Sequence, residues 1–200
     1  GLFAVDTVRL HGLHLPMLSH VTTAPDVTLH EAGKFARLAL GGNPTVSELM
    51  WLEDYETLTP LGEELIGIRS AFLSAKRVRN AYLGYATQQF KRLESRGDGT
   101  FGPDLAKRTS KHARHLYRLL IQGFELWGSG QLMLELADPD VVRKFGELVA
   151  EGDLDLARRM LSMYEEAFDN TPTALPDGPD EQAVEAWLLK VRATFYTQPA

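Results

Sequence analysis

Five cationic side chains in one short stretch have the types and spacing to hold phosphate. Lys107, Lys111, Arg114, His115 and Arg118 fall within a band of roughly 100° on an ideal helix. Ala113, Leu116, Tyr117, Leu120 and Phe124 occupy the other side, and no acidic residue lies between Lys107 and Arg118. A guanidinium donates two parallel N–H bonds to a phosphate, an ammonium supplies a point charge, and an imidazole adds charge once protonated. A helix with one apolar and one basic face is also how an ordinary solvated surface helix reads. The spacing leaves both readings open.

A second constellation is Asp26-Val27-Thr28, followed by Glu31, Lys34 and Arg37. The pattern places Asp26 at the end of a strand, with Lys34 and Arg37 three apart on the next helix and so neighbours in space. A strand-end carboxylate near two cations suits a metal–nucleotide complex. An acidic group at a helix N-terminus with two surface cations fits the same residues. The six histidines are His11, His14, His20, His30, His112 and His115. The tightest early pair, His11 and His14, would point to opposite faces of a strand and chelate one ion poorly. No HExxH, Walker A or GxGxxG pattern occurs, and the serines lack a nucleophile-elbow setting.

The elements that must position these groups are mainly helices. The first 30 residues read as short strands and turns, with a strand over Val5 to Leu10 and punctuation at Pro16 and Pro25. Thr28 and Glu31 have capping-box spacing, with Thr28 as N-cap, for a helix that carries Phe35 and Leu38 and ends at Gly41-Gly42. Asn43-Pro44-Thr45 starts a short helix, and Leu61 to Leu73 reads as a helical connection. Ser74 caps a long helix from Ala75 to about Arg96, with Val78, Tyr82, Tyr85, Gln89 and Leu93 on one face. The helix with the basic band runs from about Pro103 to Trp127 and stops at Gly128-Ser129-Gly130. Gln131 to Leu136 reads as one more strand, and three helices follow: Asp140 to Glu151, Leu154 to Asp169 and Pro179 to Phe195. The expectation is an α+β chain, predominantly helical. A small α/β region covers residues 1–58 and a C-terminal helical domain covers residues 59–200. The strands are too few for a self-sufficient sheet, so either more strands lie upstream or another chain completes it, as in a homo-oligomer.

Composition bounds the rest. The chain has 200 residues, 44% hydrophobic and 24% charged, which is ordinary for a globular protein. Without cysteine there is no disulfide scaffold or thiolate metal site, and a cytoplasmic location is expected. No apolar run reaches the roughly 20 residues of a membrane span, and no signal-like segment opens the chain. Gly1 in place of Met suggests trimming or processing. The net charge of −6 is uneven. Residues 135–185 hold 14 acidic and 4 basic side chains, leaving 13 acidic and 17 basic for the remainder. An anionic ligand is therefore expected before residue 135.

The run Asp26 to Trp51 resembles the core signature of a family of predicted nucleotidyltransferases of the DNA polymerase beta-like superfamily, found in bacteria and their phages. Its most distinctive pieces are Lys34-Phe35, Asn43-Pro44 and Glu48-Leu49. Phe72-Leu73-Ser74, Gly84-Tyr85-Ala86, Lys111 to Leu120 and Leu175-Pro176 follow in order, so that the resemblance covers about Gly12 to Phe195. It implies transfer of a nucleoside monophosphate from an NTP to an acceptor hydroxyl on RNA or a similar molecule, with Mg²⁺ or Mn²⁺ as cofactor. It also implies a Gly-Ser turn, a strand with two carboxylates one residue apart, and a third carboxylate on a neighbouring strand.

This sequence departs from that pattern at the paired carboxylates. Their positions fall on Thr7 and Arg9, Asp6 sits one residue early, and the one Gly-Ser pair, Gly128-Ser129, ends a helix. Arg9 brings positive charge where cations should bind. The chain is then a degenerate relative, or lacks strands upstream, or uses Asp6 as a substitute ligand. The resemblance places Asp26, with Asp6 second, as catalytic and metal-binding carboxylates. Lys34, Arg37, Lys111, His115 and Arg118 would hold nucleotide phosphates. A non-catalytic nucleotide- or RNA-binding protein and a purely structural helical domain are the rival expectations.

Overall fold

The computed structural model describes residues 19–95 and 103–197. The expected strand over Val5 to Leu10, with Asp6, Thr7 and Arg9, lies outside them. Among the described residues the chain is predominantly helical, with eight α-helices and one two-stranded antiparallel hairpin. The chain divides into two compact units, one formed by residues 1–74 with 176–200 and the other by residues 75–175.

Among the described residues the first unit opens with the hairpin of β1 (Ser19–Thr23) and β2 (Asp26–His30), whose register pairs Thr23 with Asp26 and Ser19 with His30. Asp26 therefore opens β2 and does not end a strand. Thr28 is no helix cap either. It pairs with Val21 in the hairpin. Because the ladder runs on to His30, α1 (Ala32–Leu40) starts later, and Glu31 is its N-cap, accepting from the Lys34 amide at 3.1 Å. The side chain has the i to i+3 geometry of a cap, displaced by one turn of sequence. Asn43 caps α2 (Pro44–Glu48) by accepting from the Val46 amide, and Thr59 caps α3 (Pro60–Gly67) by accepting from Gly62. In both, Pro stands at the first helical position, where no amide donor is needed. A 3-10 turn over Arg69–Phe72 and the distant α8 (Glu181–Thr197) complete the unit.

α8 is held to the N-terminal elements by polar contacts that span the chain. Trp187 donates from Nε1 to the Leu61 carbonyl at 2.9 Å, and the Asp180 amide donates to Ala71 at 2.8 Å. Trp187, Leu188 and Val191 pack on Ala32, with Leu61, Leu65 and Ile68 around them.

The second unit is a contiguous run of helices: α4 (Ala75–Glu94), α5 (Pro103–Ser129), α6 (Pro139–Ala150) and α7 (Leu154–Asn170). α4 and α5 pack through the faces that their periodicity marks. Val78, Tyr82, Gln89 and Leu93 are buried on one, and Ala113, Leu116 and Leu120 on the other. The pair is antiparallel and very close at Gly123, where a Cβ would lie 2.6 Å from the Tyr82 ring. α6 and α7 add an aromatic chain running from Phe145 through Tyr117, Tyr164, Phe124 and Phe168 to Trp127, with ring centroids 4.6–6.3 Å apart.

Residues 131–136 are not a strand. A strand needs a neighbouring ladder, and the described strands belong to the other unit. The segment is instead tied by side chains. Gln122, fully buried, donates from Nε2 to the Met133 carbonyl at 3.0 Å, and Ser129 Oγ donates to Gln131.

Candidate phosphate-binding site

In the second unit, α5 keeps its apolar side inward, which turns Lys107, Lys111, Arg114 and His115 to solvent and leaves Arg118 half-buried. Arg118 is held in place by its own helix, donating from Nε to Gln122 Oε1 at 3.0 Å. The same Gln122 amide fixes Met133, so a buried side chain couples the guanidinium to the backbone of the following segment. Arg114 lays its aliphatic stem across the α6 contact, since a Cβ on Gly146 would meet Arg114 Cγ at 2.5 Å. His112, one turn before the middle of the band, points the other way and bonds to Gln89 Oε1 at 2.7 Å.

The stripe gains a cation from the neighbouring helix. His115 is pushed below its ordinary value, first by partial burial of the ring, then by the charges of Arg118, Arg92 and Lys111. Arg92 lies on the last turn of α4, and only the antiparallel pairing of α4 with α5 brings it here. No signal in the sequence around Arg92 marks it as part of this group. With its proton affinity lowered, His115 carries less charge than an ordinary imidazole, and Arg92, Lys111 and Arg118 supply most of the positive potential. The arrangement can accept an anion with several oxygens, through point charge from the lysine and directed N–H bonds from the arginines.

In the first unit, Asp26, Lys34 and Arg37 do not form a comparable group. Asp26 is exposed at the hairpin turn, Lys34 is half-buried, and Arg37 is exposed on the outer side of α1. Lys34 acts on His30, whose proton affinity is lowered by burial and then by that charge. His30 Nδ1 lies 2.8 Å from Ser19 Oγ. Glu31, the remaining carboxylate of that sequence run, is committed to structure. It is buried and accepts from Arg192 Nη2 at 2.9 Å, with both side chains 4% exposed.

The carboxylates of the described residues do not fit a site for divalent cations. Asp26 stands alone at a turn, Glu31 is neutralised by Arg192, and no group of three acidic or histidine side chains converges among the described residues. Asp6 lies outside them.

A sequence model described as the RNA repair pathway DNA polymerase beta family (RlaP) matches residues 3–158. No curated protein and no solved structure matches the chain. Among the described residues, no helix is long and apolar enough to cross a membrane.

Proposed function

We propose that this chain, which belongs to the RNA repair pathway DNA polymerase beta family, holds the phosphates of RNA or of a nucleoside triphosphate on the basic stripe of α5. The observation that supports this reading is the approach of Arg92, from a second helix, to the stripe, where the charges of Arg118, Arg92 and Lys111 all act on His115. Arg118 is half-buried, and partial desolvation strengthens its charge-assisted bond to phosphate relative to one in open water. Membership of the family supports nucleotidyl transfer as the reaction in which such a surface serves. In that reaction an acceptor hydroxyl oxygen bonds to the α-phosphorus of the triphosphate, the α–β phosphoanhydride breaks, and pyrophosphate leaves as the hydroxyl proton is lost. Divalent cations supply charge stabilisation at the attacking and leaving oxygens in such chemistry. The role of this chain's described residues is to bind and orient the phosphates.

Titration of the protein with a short single-stranded RNA and, separately, with ATP tests the reading. Lys111→Ala with Arg118→Ala should weaken binding by about 1.5–3 kcal/mol for each charged hydrogen bond lost. It should also flatten the salt dependence by about one counterion per phosphate contact. Loss for RNA alone assigns the stripe to the acceptor, and loss for ATP alone assigns it to the nucleotide. Equal affinity of wild type and double variant for both ligands makes the stripe a solvated face.

A second reading, the binding protein without transfer, is favoured by Thr7 and Arg9, which stand where the resemblance would place the paired carboxylates. It predicts little or no incorporation of an α-labelled nucleotide with Mg²⁺ or Mn²⁺. Robust metal-dependent incorporation that disappears in Asp6→Ala would overturn it and make Asp6 a metal ligand.

A further inference from the structure

We propose that the apolar cavity of the first unit is a docking groove for a cationic amphipathic helix of a partner protein. The cavity has a volume of about 450 Å³, within the roughly 300–1,000 Å³ usual for binding clefts. Its walls include Phe35 of α1, Leu49 and Leu52 after α2, Leu58, Leu65 of α3 and Phe195 of α8. Four of these are open to solvent: Leu49 at 46%, Leu52 at 39%, Leu58 at 42% and Phe195 at 42%. Single exposed leucines are ordinary, but four around one cavity form a continuous apolar patch, the kind that marks a contact surface.

The polar groups of the wall argue against a nucleobase. Tyr55 spends its hydroxyl on the Leu49 carbonyl at 2.7 Å, and Thr59 Oγ1 accepts from the Gly62 amide at 3.2 Å. The Thr57 hydroxyl and the Thr59 hydroxyl proton remain to the wall, too little for a base edge that presents several donors and acceptors. Apolar side chains are what the interior fits.

The rim decides the sign of the partner's charge. Residues 52–68 carry Glu53, Asp54, Glu56, Glu63 and Glu64 and no lysine or arginine. Arg69, next in the chain, is half-buried, stacked on Trp51 and bonded to the Met50 carbonyl, so the exposed charge of this stretch is acidic. All five acids are exposed. Glu64 is paired with Lys190, while the other four make no ion pair or hydrogen bond with a described residue. Glu63 sits in the first turn of α3, where a carboxylate favours the helix dipole. Glu53, Asp54 and Glu56 lie in irregular chain and serve no such end. Exposed carboxylates interleaved in sequence with the lining residues disfavour RNA and anionic lipid. A second copy docked face to face would set this acidic rim against itself. A helix with apolar residues at i, i+3, i+4 and i+7 and lysines or arginines beside them satisfies both the walls and the rim.

The full chain is titrated, by fluorescence anisotropy, with a labelled helical peptide of leucine at that spacing and lysine elsewhere, and with its leucine–glutamate twin. The lysine peptide should bind, and more weakly as salt rises. Leu52→Ser with Leu58→Ser should weaken it about tenfold. These two side chains are exposed, so the fold should persist, checked by the melting curve. Glu53→Gln with Glu56→Gln should weaken it severalfold, whereas Glu151→Gln with Glu166→Gln, on the other unit, should not. Absence of binding, equal affinity for the glutamate peptide, or full retention in the leucine variant would overturn the proposal. So would a concentration-dependent dimer that the leucine variant abolishes, which would make the occupant a second copy.

Discussion

The two units of this protein are held together in different ways. The first joins pieces from opposite ends of the chain, and its buried ion pair between Glu31 and Arg192 spans 161 positions. The second is one uninterrupted run whose helices meet through apolar faces and close approach at glycine. The surfaces differ too, with an acidic rim around an apolar cavity in one and a basic stripe in the other. A discontinuous unit needs specific long-range contacts to offset the entropy of bringing its ends together. A contiguous helical hairpin closes a short loop and relies on packing. The first unit should therefore be sensitive to loss of a single charge, and the second to added volume.

The largest effect is expected at the buried pair. Arg192→Ala or Glu31→Ala leaves one uncompensated buried charge and should cost about 3–5 kcal/mol in urea denaturation. Removing both charges together, as Glu31→Leu with Arg192→Met, should recover much of that loss, because no charge then remains to be desolvated. If the single variants melt like wild type, the pair does not hold the first unit together.

A smaller effect separates two glycines of the second unit. Gly123→Ala places a methyl 2.6 Å from the Tyr82 side chain and should destabilise by about 1–3 kcal/mol through overpacking. Gly84→Ala meets nothing within 4 Å in α4 and should stabilise by about 0.5–1 kcal/mol through helix propensity. A Gly123→Ala protein as stable as Gly84→Ala would show that α4 and α5 do not approach so closely.

The smallest effect is the titration of His115. Burial and the neighbouring cations hold it below the ordinary histidine value, so the folded protein binds this proton less readily than the unfolded chain. Its contribution to stability should be constant above about pH 6.5 and decline as pH falls from there toward the folded-state pKa. Affinity for phosphate should change in the opposite sense, rising as pH falls, because a bound phosphate favours the imidazolium. The ring resonances of His115 should therefore titrate at higher pH with inorganic phosphate present than without it. An unchanged midpoint would remove His115 from the phosphate site.

Features decided within one turn of the chain were legible in the sequence. Asn43 before Pro44, Gly41 after α1 and the two faces of α5 are local signals, because caps and helical periodicity involve residues no more than a few positions apart. The stripe of Lys111, His115 and Arg118 could be read in the same way. Tertiary structure decided what that stripe meets and which other groups remain available for chemistry. Arg92 joins it through the pairing of two helices. Glu31, which lies in the same sequence run as Asp26 and Lys34, is withdrawn into an ion pair with a residue near the far end of the chain. Gln131 to Leu136 has the alternation of a strand, yet becomes a tethered loop because no ladder lies beside it in its unit. Charge pairing and strand pairing depend on neighbours in space, and those neighbours come from positions that local patterning does not specify.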